Sequence, residues 1–281
     1  MTQASSQHNN SSEPIKTVVI TGAGSGFGRE LAHRYAQAGW CVGITDVDEQ
    51  RAQETFELVG GHSGGHFAMQ HDVRDETQWQ AVRTRVLEAW GRLGVLINNA
   101  GVAAGGRLEE TPLDDWQWIM DIDLMGVMKG CHTFVGLLRE QKQGHIVNIA
   151  SFAGLAGAPH IAAYGTAKAG VVALSEILRA ELHDDNVGVS VVCPAFVKTN
   201  LLDTFRSPEA KLKGRVQSWM DKANVSAQDV AQQIFTAVER RQFLVLTHKE
   251  TRWMWRLKRW FPEFYFKVLL RGARGKGGAQ K

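Results

Sequence analysis

The stretch from Lys16 to Gly28, KTVVITGAGSGFG, decides the fold of this chain. Its first six residues form a short, apolar, β-branched run, which predicts a buried strand. A glycine loop follows, and the next residues, Arg29 to Gln37, have the apolar spacing of a helix. Glycines in this position let the backbone approach a pyrophosphate, and the helix N-terminus offers its free N–H groups. The stretch therefore predicts a dinucleotide cradle, with a plain glycine turn as the alternative.

Further units of strand and helix set the fold class. The second strand, Cys41 to Thr45, is followed by Asp46, whose carboxylate can bind the adenosine ribose hydroxyls and repel a 2′-phosphate. This favours NAD over NADP, unless Asp46 only caps the next helix. Strands that end before Asp72 and at Ile97 alternate with helices. The alternation predicts an α/β, Rossmann-like, doubly wound domain with a mostly parallel sheet and helices on both faces.

Composition argues against several other classes. The 281 residues carry a net charge of +3, which is too small to indicate nucleic acid as the main partner. Cys41, Cys131 and Cys193 form no CxxC pair, which predicts free thiols in a reducing cytoplasm. No metal site is predicted, and no apolar run is long enough to span a bilayer. Residues 1–14, rich in polar side chains, predict a disordered lead-in and not a signal peptide.

A tyrosine and a lysine, Tyr164 and Lys168, are four residues apart and so occupy one helix face. An ammonium near a phenol favours the phenolate and lowers the phenol pKa from its ordinary value of about 10. The pair predicts a general acid/base that exchanges a proton with a carbonyl or alcohol oxygen. Alone it could also be an ordinary solvated helix face, so its weight depends on other motifs.

Four motifs in order give the chain a resemblance to the short-chain dehydrogenase/reductase family over about residues 16–245. They are Thr21-Gly22-x-x-x-Gly26-x-Gly28, Asn98-Asn99-Ala100-Gly101, Ser151 at 13 residues before Tyr164, and Tyr164-x-x-x-Lys168. The resemblance implies seven strands in the order 3-2-1-4-5-6-7 and NAD(P)-dependent hydride transfer between nicotinamide and a secondary alcohol or ketone. It also implies a homodimer or homotetramer paired through the helices at about 115–129 and 164–182.

The resemblance implies a role for each matching residue. Tyr164 exchanges the proton of the reacting oxygen, Ser151 hydrogen-bonds that oxygen, and Lys168 holds the nicotinamide ribose and lowers the tyrosine pKa. The expected substrate contacts are Ser151, Phe152, Tyr164 and Phe196, with Ala103, Ala104 and Leu155 as further lining. The expected cofactor contacts are Gly22, Ser25, Gly26, Phe27, Gly28, Asp46, Asp72, Val73, Asn99, Ala100, Gly101, Tyr164, Lys168, Pro194, Val197 and Thr199. For Thr199, a helix cap is the alternative.

Two positions depart from the family pattern. Where the family has a fourth catalytic residue, an Asn in Asn-x-x-Gly, this chain has Asp123, followed three residues later by Gly126. An aspartate accepts a hydrogen bond but lacks the amide donor. We therefore expect Asp123 either to serve in the same water-mediated relay or to tune it differently, with activity retained. After the sixth strand, Pro194-Ala195 stands where the family commonly has Pro-Gly.

A segment at about 195–225 interrupts the alternation of strands and helices. It contains Leu201, Leu202, Phe205, Trp219 and Met220 among charged residues. In the family this segment is a mobile substrate cover, and an apolar cover excludes water and indicates a hydrophobic substrate. Alternatively, these side chains only pack the segment onto the domain. Two other functions stay open: a non-catalytic dinucleotide-binding sensor, against which Ser151 and Tyr164 argue, and a membrane-docked reductase of lipid-like carbonyls.

An extension at 251–271 follows a single dehydrogenase domain at 15–250. Its apolar residues Trp253, Leu257, Trp260, Phe264 and Val268 fall on one helical stripe. Aromatic residues beside Arg and Lys suit a membrane surface. Burial on the domain or on another subunit is favoured because apolar stripes are usually covered. Pro262 would end one helix or open a second, and residues 272–281 predict a flexible basic tail. We expect a cytoplasmic protein, associated peripherally with a membrane if the extension docks there.

Overall fold

A computed structural model describes residues 15–275 of the chain. The lead-in predicted at 1–14 and positions 276–281 of the predicted tail lie outside this part. Its strands are β1 (Thr17–Thr21), β2 (Cys41–Asp46), β3 (Phe67–Gln70), β4 (Val95–Asn98), β5 (Gly144–Ile149), β6 (Val187–Val192) and β7 (Leu244–Val245). Its α-helices are α1 (Gly26–Gln37), α2 (Glu49–Leu58), α3 (Glu76–Trp90), α4 (Leu113–Met120), α5 (Val127–Gln141), α6 (Phe152–Ala156), α7 (Ala162–Glu181), α8 (Ala210–Asp221), α9 (Ala227–Glu239), α10 (Lys249–Trp260) and α11 (Pro262–Gly275).

The strands form one parallel sheet in the order β3-β2-β1-β4-β5-β6-β7, which confirms the predicted order. β1 is paired with β2 on one side and with β4 on the other, so the strand order reverses at this point. Open sheets of this kind bind ligands outside the carboxyl ends of their strands, at the reversal. The topology therefore places the ends of β1, β4, β5 and β6 around one crevice.

Helices cover both faces of the sheet because successive strand side chains point to opposite sides. Val19 of β1 joins a core that contains Trp79 of α3 and Phe134 of α5. Val18 and Ile20 join a second core with side chains of α1, α2 and α9. Every residue of β1 is buried, as expected for a parallel strand covered on both sides.

Two elements differ from the sequence predictions. The last strand is only Leu244–Val245, where the sequence predicts 242–247. Beyond it, the carbonyl of Leu246 accepts a hydrogen bond from Arg252 of α10 and not from a neighbouring strand. The helix pair α4 and α5 is joined by a π-helical turn, Asp121–Gly126, which carries Asp123. This wider turn rotates Asp123 to a fully buried position.

The C-terminal extension forms two helices, so the predicted stripe is divided between them. α10 ends at Trp260, and Pro262 opens α11, where a missing N–H is tolerated. Trp253, Trp260 and Phe264 are exposed, although the sequence favours their burial. α11 runs through Gly275, past the predicted boundary at 271. Among residues 15–275, no helix combines the length and the apolar character needed to cross a membrane.

Two buried histidines are expected to make the fold sensitive to acid. Burial lowers the pKa of His71 and the pKa of His145 to about 4, from 6.5. Below pH 6.5 the unfolded chain takes up protons that the folded chain does not, so the free energy of unfolding falls as the pH falls toward about 4. We expect a loss of about 3 kcal/mol per histidine across that window, measured by urea unfolding at a series of pH values.

A histidine variant separates this effect from general acid unfolding. His145 bonds Ser190 through Nε2 at 2.8 Å, and Gln at this position keeps a polar group there. His145→Gln should reduce the loss between pH 6.5 and about 4, whereas replacing the exposed His33 by Gln should leave the slope unchanged. Equal slopes in the wild type and in His145→Gln would contradict the assignment.

Candidate active site

Two glycines, at the end of β1 and in the first turn of α1, leave no room for a side chain. A Cβ on Gly22 would lie 2.8 Å from the Cα of Ala100, and one on Gly28 would lie 2.7 Å from the Cα of Ala23. Gly22 also has a φ of +62°, which favours glycine. Ser25, at the N-terminus of α1, makes no side-chain capping hydrogen bond. The first N–H groups of α1 are thus left for an anion, and the loop fits a dinucleotide pyrophosphate.

Asp46 borders the loop from the end of β2. Its Oδ2 accepts a hydrogen bond from the Gly24 N–H at 2.8 Å, and its Oδ1 accepts one from the Asp48 N–H at 3.0 Å. The cap of α2 is Asp48, which accepts from the Arg51 N–H at 3.1 Å. The alternative role considered for Asp46, that of a helix cap, is therefore not found.

Asp72 and Val73 follow β3, whose last residue pairs with Asp46. A hydrogen bond from Arg74 lowers the pKa of Asp72, and the two side chains form an ion pair at 2.5 Å. Val73 is buried, and its carbonyl accepts from the indole N–H of Trp79 at 3.0 Å. Both residues lie at the edge of the crevice with their side chains already paired or packed.

Thr21 joins the end of β4 to the glycine loop, which sequence reasoning did not foresee. Its Oγ1 accepts from the backbone N–H groups of Asn99 and Ala100, both at 3.0 Å. The Asn99 amide donates in turn to the carbonyls of Thr21 at 2.8 Å and Gly22 at 3.1 Å. A Cβ on Gly101 would lie 3.3 Å from the Lys168 ammonium, so this strand end also reaches the second half of the site.

Lys168 is the centre of a buried polar group at the end of β5. Its ammonium donates to the carbonyl of Ile149 at 3.1 Å and lies 3.3 Å from Oδ2 of Asp123. Lys168 is 3% exposed and Asp123 is 0% exposed. Tyr164 is half-buried one turn earlier on α7, and the Ser151 side chain lies close enough to its hydroxyl to lower the tyrosine pKa. The structure thus brings the four predicted catalytic residues together.

The pKa of Tyr164 differs from the sequence expectation. Burial raises this pKa above its ordinary value, the Lys168 ammonium lowers it, and the Asp123 carboxylate raises it again, with a net rise. Burial lowers the pKa of Lys168, but the charges of Asp123 and Tyr164 and the hydrogen bond to Asp123 together outweigh that effect, and the pKa is raised. Burial also raises the pKa of Asp123, against the effect of Lys168. Lys168 lowers the Tyr164 pKa as expected, but the net pKa is raised because burial and Asp123, which the sequence expectation did not include, act in the opposite direction.

Ser151 and Thr199 both have a local structural role as well as a place in the site. Ser151 caps α6, accepting from the Ala153 N–H at 3.1 Å. Thr199 caps a short 3₁₀ turn at 200–202, accepting from the Leu201 N–H at 3.4 Å, as the alternative for this residue predicted. Thr199 also faces the glycine loop, because a Cβ on Gly26 would lie 3.5 Å from its Cβ.

The segment after β6 connects the strand ends to the C-terminal extension. The carbonyl of Pro194 accepts from the Phe152 N–H at 2.8 Å, and Val197 is buried in the core beneath α1. Nδ1 of His248 accepts from the Ala195 N–H at 3.4 Å. These contacts place the predicted cofactor segment beside α6. The contact with His248 could not be predicted from the sequence, because His248 lies about fifty residues after Ala195.

The predicted substrate cover is partly packed onto the domain. Leu202 and Met220 are buried, so these two side chains pack the segment onto the domain, as the alternative predicted. Phe196 is 46% exposed, and its ring centroid lies 5.2 Å from that of Trp219. The sequence also predicts four residues that line the substrate pocket. Of these, Ala103 and Ala104 are buried, and Phe152 and Leu155 are half-buried. Tyr164 packs against a small apolar cluster that contains Ala104, and Phe152 directly follows Ser151, so apolar side chains adjoin both hydroxyl residues.

Known proteins match this chain over most of its length. The family described as short chain dehydrogenase matches residues 16–210. A probable oxidoreductase of Mycobacterium tuberculosis, EphD, is 34% identical over 235 residues, which is 80% of this chain and 40% of that protein. This chain thus spans about two fifths of the mycobacterial relative's length. Meso-2,3-butanediol dehydrogenase of Serratia marcescens is 38% identical over 188 residues, 66% of this chain and 73% of that protein.

A solved structure agrees with this fold. It is a short chain dehydrogenase/reductase from Burkholderia phymatum in complex with NAD, 35% identical, with a TM-score of 0.82. The match covers 89% of this chain and 95% of the other. The sheet, the glycine loop and the strand ends described above therefore belong to a fold that is known in a dinucleotide-bound form.

Proposed function

This chain belongs to the short chain dehydrogenase family of oxidoreductases, and on that premise we propose that it transfers hydride reversibly between NAD and a secondary alcohol or ketone. The observation that carries the proposal is the assembly of Ser151, Tyr164 and Lys168 beside the glycine loop. A pure dinucleotide binder has no need of a hydroxyl pair at this place. The names of the relatives support a CH–OH substrate, since one is a butanediol dehydrogenase.

The roles of the side chains follow from their contacts. The nicotinamide cofactor, when bound, supplies the hydride acceptor or donor. Tyr164 takes the proton from an alcohol or gives one to a ketone, and Ser151, which lies beside Tyr164, hydrogen-bonds the same oxygen. Lys168 keeps a positive charge near the phenol and so favours the phenolate.

Asp123 acts on Lys168 and not on the substrate in this proposal. Its Oδ1 accepts from the Val102 N–H at 2.8 Å, its Oδ2 faces the ammonium, and the residue is fully buried. The carboxylate therefore orients the lysine and offsets part of its charge. This is the second of the two roles considered for Asp123, tuning of the proton relay.

The substrate is proposed to be hydrophobic. Ala104 packs in one apolar cluster with Tyr164, Phe152 directly follows Ser151, and the 46% exposed Phe196 lies on the segment after β6. Apolar surroundings that exclude water strengthen the electrostatic contacts of the reacting oxygen. The test is NADH formation with secondary alcohols of increasing chain length. Activity that rises with chain length supports this substrate class, and NADH binding with no turnover of any alcohol or ketone favours a sensor.

We expect NADH to bind more tightly than NADPH, and Asp46 to be the reason. A carboxylate beside Gly24 accepts ribose hydroxyls and repels a 2′-phosphate. Asp46→Ala should weaken NADH binding about tenfold or more and reduce the preference over NADPH, measured by fluorescence titration. Asp48→Ala, which removes the neighbouring helix cap, serves as control and should leave the preference unchanged. A wild type that prefers NADPH would contradict the assignment.

A homo-oligomer is the proposed state of assembly. Met125, between α4 and α5, is 38% exposed, and Ile177 on α7 is 56% exposed. Both lie on the helices that the family resemblance pairs across subunits. Apolar side chains exposed on two neighbouring helices support burial against a second copy, and static light scattering measures the resulting mass.

A further inference from the structure

The C-terminal helices α10 and α11 present large aromatic side chains to solvent. Among the side chains that the structure describes, twelve large hydrophobic ones are exposed; four of these belong to the two helices and a fifth, Phe261, lies between them. They are Trp253, Trp260, Phe261, Phe264 and Phe266, which are 51–73% exposed. Trp253 and Trp260 are seven residues apart and so share one face of α10. We call Trp253, Trp260, Phe261 and Phe264 the aromatic face and leave out Phe266, which lies about 200° around α11 from Phe264. A concentration of this kind indicates a binding surface.

Basic side chains accompany the aromatic face. From Lys249 to Gly272 the sequence has seven basic and two acidic residues. Arg256 and Arg259 are exposed on α10, three residues after Trp253 and one before Trp260. On α11 the exposed Arg271 lies seven residues after Phe264, on the same side of the helix. The surface is therefore apolar and positively charged at once.

The opposite sides of the helices fix the extension to the domain. The Lys258 ammonium donates to the carbonyl of Leu155 at 2.5 Å, and the Tyr265 hydroxyl donates to that of Ala156 at 2.9 Å. Trp255 packs against the main core. Because both accepting carbonyls belong to α6, which begins after Ser151, the aromatic face is displayed next to the active-site end of the domain.

We propose that the aromatic face docks on a bilayer surface that contains anionic lipid. Aromatic rings are stable at the depth of the lipid headgroups, where one part of the ring meets hydrocarbon and another meets water. The arginines and lysines beside them are attracted by acidic headgroups. A second copy of the chain is a poorer occupant, since two-fold pairing through this face would bring two positive surfaces together.

The test is flotation of the full chain with vesicles of phosphatidylcholine alone or mixed with phosphatidylserine. The wild type is expected to float with the mixed vesicles and to be released by high salt. Trp260→Ser with Phe264→Ser should weaken binding about tenfold or more. Arg256→Gln with Arg259→Gln should weaken it about 30-fold. The matched control is Leu113→Ser, because Leu113 is 84% exposed at the start of α4, and it should float like the wild type.

Three results would overturn the proposal. The first is no flotation of the wild type with either vesicle, and the second is equal loss of binding in Leu113→Ser. The third is a change from oligomer to monomer for Trp260→Ser with Phe264→Ser in sedimentation velocity, which would make the face a contact between copies. Urea unfolding of each variant shows that it is folded, and flotation needs no turnover, so a failure of the proposed reaction would not affect this test.

Discussion

Replacing Tyr164 by Phe is expected to lower turnover by about 10²- to 10⁴-fold while NADH binding stays nearly unchanged. The change removes one oxygen, and that oxygen is the group that exchanges the substrate proton next to Ser151. The phenyl ring keeps its place on α7, so the fold and the cradle for the cofactor are preserved. Steady-state kinetics with NAD and a responding alcohol measure turnover, and fluorescence titration measures NADH binding.

The control for this variant is Tyr35→Phe. The chain has three tyrosines, and the hydroxyl of Tyr35 is buried in the second core without a partner among the described residues. Removing that hydroxyl should leave turnover at the wild-type level. A Tyr164→Phe enzyme as active as the wild type would contradict the assigned role, and equal losses in both variants would show a general effect of the substitution.

Replacing Lys168 by Met is expected to abolish turnover and to lower the free energy of unfolding by about 3–5 kcal/mol. In the wild type the Lys168 ammonium lies 3.3 Å from the Asp123 carboxylate, and Asp123 is 0% exposed. The substitution therefore leaves this carboxylate buried with no opposite charge. It also removes the charge that favours the phenolate of Tyr164. Urea unfolding measures the stability, and the alcohol assay measures the turnover.

A second substitution separates the two effects of Lys168. Lys168→Met combined with Asp123→Asn removes the uncompensated charge, so most of the lost stability should return while turnover stays absent. Asp123→Asn alone should remain active. Because the Asp123 charge raises the pKa of Tyr164, its removal lowers that pKa, and alcohol oxidation should then rise with pH at lower values than in the wild type. A double variant no more stable than Lys168→Met would contradict the buried ion pair.

Local patterns explain why much of this fold and site was predictable. The strand, glycine loop and helix at 16–37 are adjacent in sequence, so their succession follows from a local pattern of residues. Tyr164 and Lys168 lie one helical turn apart, so helix periodicity alone places them together. Ser151 was found through the family motif, because a lone serine after a strand is more often only a cap, and it does cap α6.

Long-range packing explains what the sequence could not provide. The sign of the pKa change at Tyr164 depends on burial and on Asp123, which is forty-one residues away in the chain and approaches Lys168 only in the folded protein. The separate orientation of the C-terminal aromatic residues depends on the break between Trp260 and Pro262. Helix periodicity places Trp253 and Trp260 on one face, but it does not show whether the domain or the solvent lies opposite.

Transfer of deuterium tests the central claim most directly. NADH labelled at C4 of the nicotinamide is incubated with the protein and a series of hydrophobic ketones, and the alcohols formed are examined by mass spectrometry. The proposed function predicts one deuterium on the carbinol carbon with the wild type and, in the same time, about a hundredth or less of that labelled alcohol with Tyr164→Phe, although both bind NADH. Binding of NADH by the wild type without deuterium transfer to any ketone would contradict the oxidoreductase and favour a dinucleotide sensor.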